Sequence, residues 1–127
     1  MKALSSFILL AMLFTSCKKE ESKKEESFAN ETEAKTPVDL GQELFEGSGK
    51  CFSCHNPDQS IVGPSIIKIT QIYKDQNADI VSFLKGEADP IVDPTQYEVM
   101  KTNLEITKRM TDDELKAIEA YMFSHLK

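Results

Sequence analysis

Cys51, Phe52, Ser53, Cys54 and His55 stand in a row in this chain. Two thiols three positions apart, with an imidazole directly behind the second, constrain the fold more than any other stretch. Four chemistries use such a cluster: a disulfide, a redox-active dithiol, part of a zinc site, or a covalent attachment point for haem. The rest of the sequence has to choose among them.

The N-terminus speaks first to location. Residues 1–16 read as a signal peptide, with Lys2 as a short positive region and Phe7 to Phe14 as an apolar run too short to span a bilayer. The next residue is Cys17, and "LFTSC" resembles a lipobox, at which a signal peptidase cuts before a diacylglyceryl cysteine. Thr15 and Ser16 are small, as that motif asks, whereas Phe14 stands where Leu or Val is usual. The plainer reading is a secretory signal followed by an unpaired cysteine. Acyl chains on Cys17 would anchor the chain to a lipid bilayer, at about 0.8 kcal/mol for each buried CH₂. Residues 17–36 then form a tether of Lys, Glu, Ser and Thr, too polar to bury a core. Charge directly after such a cysteine also resembles the surface-export signals of some lipoproteins. The domain is exported, and it stands in the periplasm or at the cell surface.

Residues 37–127 are expected to form one all-α domain, and they carry the whole of the formal net charge of −6. That charge repels phosphate and no basic stripe is present, so nucleic acid is excluded as a partner. Leu40, Leu44 and Phe45 suit a short amphipathic helix with Asp39 as N-cap, closed by Gly47 and Gly49. Ile66, Ile69, Ile72 and Tyr73 share a second helical stripe. A third helix begins at a capping Asn77 and ends with Gly86 at C′. Pro90 and Pro94 make residues 87–99 a loop. Thr111 and Glu114 form a capping box, with Met110 and Leu115 as its staple. Leu115, Ile118, Met122 and Leu126 then line one face of the last helix.

A domain of this size without Trp has a thin core, and such chains often depend on a disulfide, a metal or a cofactor. A Cys51–Cys54 disulfide closes a tiny loop and removes little unfolded-state entropy. A thioredoxin-like dithiol needs strands, and no strand pattern is present. Zinc needs four ligands. His125 is the only other histidine, and adjacent Cys54 and His55 make poor partners on one tetrahedral ion. Haem uses all three residues at this spacing: two thioethers to the two vinyl groups, and His55 carried under the ring toward the iron.

With these features in order, residues 37–127 resemble a class I c-type cytochrome, a small all-α electron carrier with one haem c held through Cys51 and Cys54. Gly41 and Phe45 fit that family's first-helix pattern, "GPS" at 63–65 fits its Gly-Pro turn, and the segment from Met110 to Met122 fits its final helix. The resemblance implies that the first and last helices cross at Gly41, Phe45 and Tyr121. It implies that the Pro64 carbonyl accepts the second ring N–H of His55. It also implies a methionine as sixth iron ligand. Met100, on the loop before the last helix, stands about where the family places it, although Lys101 follows where proline is common. Met110 is the next candidate, and His125 a third.

Ile66, Ile67, Ile69, Phe83 and Leu84 are candidates to wall the haem or to pack only on one another. Tyr97 is either a propionate donor or an exposed loop residue. No catalytic base or nucleophile is evident, so a carrier is expected rather than an enzyme. The acidic domain suits redox partners with basic docking surfaces. The alternative from another class is a ligand-sensing or peroxidase-like haem protein with an open distal site.

Overall fold

The computed structural model describes residues 35–127. The signal peptide, Cys17 and the tether up to residue 34 lie outside the described residues. Five α-helices follow in order: α1 Pro37–Glu46, α2 Ile66–Asp75, α3 Ile80–Leu84, α4 Tyr97–Thr107 and α5 Asp112–Ser124. Short 3₁₀ turns cover Cys51–Ser53 and Pro94–Gln96. Among the described residues there is no strand beyond one isolated bridge between His55 and Ser60, so the expected all-α class holds. None of these helices is long and apolar enough to cross a membrane.

Four of the five α-helices start at a side-chain cap, two of them not at the expected residue, and α4 starts without one. Thr36, not Asp39, caps α1. Pro37 takes the first helical position, and Asp39 sits three residues on as the acidic half of a capping box. Pro has no N–H to satisfy there and Asp faces the positive end of the helix dipole, so both suit their places. Asp79, not Asn77, caps α3, its carboxylate accepting from the Ser82 N–H at 3.1 Å. Asn77 has φ 49°, the left-handed turn that leaves α2. The Thr111–Glu114 box of α5 is present as expected. So is Gly86 at C′ of α3, at φ +75°. Its N–H donates to Phe83 and that of Glu87 to Ser82, which closes α3 as a Schellman turn.

The largest difference from the sequence reading is α4. Tyr97 to Met100 are helical, not loop. Pro94 opens a 3₁₀ turn that feeds directly into the helix, a position where proline starts helices rather than breaking them. Only Leu104 and Thr107 of α4 are buried. The second stripe also shifts. Ile66, Ile69, Thr70 and Tyr73 are buried and Ile72 is half-buried. Thr70 is accommodated because its hydroxyl donates to the Ile66 carbonyl at 2.9 Å. Leu126 lies beyond the end of α5 and is half-buried.

The core forms where α1 crosses α5. A Cβ at Gly41 would collide with the Ala117 carbonyl and come within 2.8 Å of Tyr121 Cβ. The two backbones therefore touch at a distance only glycine permits. One turn on, Phe45 and Tyr121 pack with ring centroids 5.3 Å apart, tilted by 57°. The crossing expected at Gly41, Phe45 and Tyr121 is thus observed. Gly41→Ala should lower the unfolding free energy of the haem-loaded domain by about 3 kcal/mol or more, since the collision is with backbone. Gln42→Ala, on the exposed side, should stay within about 0.5 kcal/mol. Guanidinium unfolding followed by the visible spectrum measures both.

Candidate haem site

The chain leaves α1 at Gly47 and reaches Cys51 through Lys50, which adopts a left-handed φ of 53°. That turn starts the Cys51–Ser53 3₁₀ element, whose N–H groups at Cys54 and His55 both donate to the Cys51 carbonyl. The five residues are thereby wound into one compact turn, with both thiols and the imidazole facing a single cleft. Cys51, Cys54 and His55 all line it. They form no disulfide. Burial pushes the Cys51 thiol up to about 11, against a backbone hydrogen bond that lowers it, with Cys54 adding a further rise. Such a thiol is protonated at neutral pH, which disfavours a nucleophilic redox dithiol.

His55 is held from behind. Its Nδ1 lies 2.7 Å from the Pro64 carbonyl oxygen. A carbonyl only accepts, so Nδ1 carries the proton and donates, and the Nε2 lone pair is left for another partner. Gly63 makes the fit close: a Cβ there would sit 2.6 Å from His55 Cε1 and 2.9 Å from Nδ1. The Gly63 N–H donates to the Cys54 carbonyl at 2.8 Å, so the Gly-Pro turn is strapped directly to the thiol-bearing turn.

Most of the rest of the lining is apolar. Ile69, Phe83 and Leu84 face the cleft, whereas Ile66 belongs to the core behind it and Ile67 is exposed. Ile66 and Ile67 therefore do not wall the site: the helical turn of α2 brings only Ile69 and Tyr73 round to it. Phe83 stacks between Tyr73 and Tyr97, at centroid distances of 6.4 and 6.3 Å. Tyr97 is neither a loop residue nor fully exposed but half-buried at the start of α4. The Tyr73 phenol is pushed up to about 12, mainly by burial and also by Asp79, and stays neutral.

The three methionines of the domain separate by position. Met100 is half-buried on α4 and lines the cleft. Met122 also lines it, but as a buried part of the α5 core. Met110 packs against the core and does not line the cleft. His125 is not in the lining either. It is half-buried rather than solvated, edge-on to Tyr121 at 4.9 Å, with its Nε2 buried and unpaired. Four polar residues that the sequence did not single out, Asp93, Gln96, Thr102 and Asn103, complete the wall on the α4 side.

A close-fitted histidine with one free nitrogen, paired thiols and apolar walls suit a porphyrin. The family model for Cytochrome c matches residues 38–125, nearly all of the domain. The chain belongs to the cytochrome c family. Comparison with individual curated proteins gives no match. Membership carries haem c, attached covalently at Cys51 and Cys54, and haem-based electron transfer; cytochrome c domains typically work outside the cytoplasm. Cys51 and Cys54 would hold the group through thioether bonds to its two vinyl groups, an addition that needs no leaving group. Acid-acetone extraction should leave the colour on the wild-type chain. Cys51→Ala with Cys54→Ala should release it into the organic phase or never acquire it; colour still fixed to the double variant would contradict attachment there.

Proposed function

We propose that the chain is a lipid-anchored electron carrier in which His55 and Met100 are the protein ligands of the haem iron. The observation that carries this reading is the shared cleft: Met100 lines it together with Cys51, Cys54 and His55. Of the methionines that line it, Met100 is the one outside the buried core. Haem c supplies a one-electron Fe(II)/Fe(III) couple.

The chain's own residues set how that couple is used. Pro64 fixes the His55 tautomer and raises the donor strength of Nε2. The Met100 thioether is neutral and soft, which favours Fe(II) and raises the potential. Ile69, Phe83 and Leu84 keep water from the inner wall. Val62 and Val99 are exposed and line the same cleft, which leaves an apolar rim where a partner can approach. The acidic domain attracts redox partners with basic patches, at a rate that falls with salt. Cys17 tethers the domain to an extracytoplasmic membrane face through the charged linker.

Met100→Ala should remove the weak sulfur-to-iron charge-transfer band at the red end of the oxidised spectrum and lower the reduction potential, with the domain still folded. Met110→Ala should keep the band and lower stability by about 1 kcal/mol through lost packing. The opposite pattern would exchange the two roles. Cys17→Ser should move the red protein from the membrane to the soluble fraction; a variant that stays bound after a salt wash would place the anchor elsewhere.

A further inference from the structure

Helix α4 has little apolar anchorage, with Leu104 and Thr107 its only buried residues. Two long-range hydrogen bonds hold it instead. Thr107 Oγ1 donates to the Leu84 carbonyl at 2.6 Å, which fixes the C-terminal end of α4 to the end of α3. Asn103 Nδ2 donates to the Gly49 carbonyl at 3.1 Å, across 54 residues of chain. Gly49 lies two residues before Cys51, and Asn103 lies one turn after Met100 on the same face of α4. Asn103, Met100 and Cys51 all line the cleft. One bond therefore links the segment that leads into the thiols to the helix that carries the sulfur facing them.

We propose that Asn103 is a positioning residue that sets the depth and roll of α4, and so holds Met100 at the sixth position of the haem iron. The inference rests on the ligand reading given above. Gly49 is buried, and among the described residues no backbone N–H donates to its carbonyl. Its other donor is the Cys51 thiol, with Sγ 3.5 Å away. Thioether formation uses up that S–H, so in the haem-loaded protein Asn103 is the remaining side-chain donor. A buried carbonyl stripped of its donor is penalised strongly. The penalty falls on arrangements in which α4 moves off the cleft, which are the arrangements that open the sixth position.

Imidazole competes for that position, and its apparent affinity rises with the fraction of protein in which the methionine is off. The test is an imidazole titration of the oxidised, haem-loaded full chain. Asn103→Asp keeps the side-chain shape but removes the donor, and Asn103→Ala removes both. Each should bind imidazole about tenfold more tightly than wild type, with a weaker charge-transfer band. Met100→Ala should bind it more tightly still. Asn103→Asp added to Met100→Ala should then change nothing further, because Asn103 acts through Met100. Imidazole affinity within about twofold of wild type in Asn103→Asp, or an additive effect in the double variant, would overturn the assignment. A Met100→Ala protein with wild-type imidazole affinity would instead sink the ligand reading, and this inference with it. A structural role alone would lower the unfolding midpoint and leave imidazole affinity where it was.

Discussion

The contact of α1 with α5 at Gly41 is the constraint on which the rest of this domain depends. With no side chain between the helix backbones, Phe45 and Tyr121 meet one turn further on, and both helices present one end to the same cleft. Phe45 comes to it from α1, and Ile118 and Met122 from α5. Because α1 stops at Gly47, the crossing also fixes where the next turn of chain must start. Cys51 and Cys54 are therefore delivered to the cleft by the helix pair, not by a loop that has to find its own place. A helix pair of this kind separates the two jobs of the domain: one side packs, and the other leaves room.

What occupies that room completes the core. The cleft is walled by Ile69, Phe83, Leu84 and Ile118, side chains that gain full packing only when an apolar surface lies against them. Haem c is such a surface, and its thioethers make the gain permanent. One polar part of the site lies behind His55, where Gly63 and Pro64 leave the ring no freedom to turn, and a second lies on the α4 side at Gln96 and Asn103. This division sets rigid polar support under His55 against the lightly anchored helix α4, which carries Met100. Two contacts to carbonyl groups hold these residues, one from His55 to Pro64 and one from Asn103 to Gly49, and in the proposed carrier they would set how the chain grips the iron.

Much of this was legible in the sequence because it is written in short-range patterns. The five residues 51–55, the box at Thr111 and Glu114, and the turn at Gly86 all announce themselves within a few positions. The crossing of the first and last helices came from the family resemblance, and Gly41 has the physical reason for it. Where competing local signals overlap, the wrong one was easy to favour. Asn77 and Asp79 are both good caps, and the left-handed exit from α2 takes the asparagine. Asp39 is an acidic residue near a helix start, but Pro37 moves that start to Thr36. The prolines at 90 and 94 argued for a loop through Met100, yet Pro94 stands where a helix begins. The ties from Asn103 and Thr107 were out of reach, because their partners lie 54 and 23 residues away and are carbonyls, which no residue type marks.

A carrier of the proposed kind fills both axial positions of the iron from its own chain, so that electrons pass and ligands do not bind. A ligand-sensing or peroxidase-like protein requires the opposite. The most direct test is the visible spectrum of the reduced, haem-loaded full chain before and after addition of carbon monoxide at neutral pH. With Met100 held over the cleft by α4, the reduced spectrum should be unchanged by the gas. A prompt shift to the spectrum of a carbon monoxide complex would show an open sixth position and contradict the carrier reading.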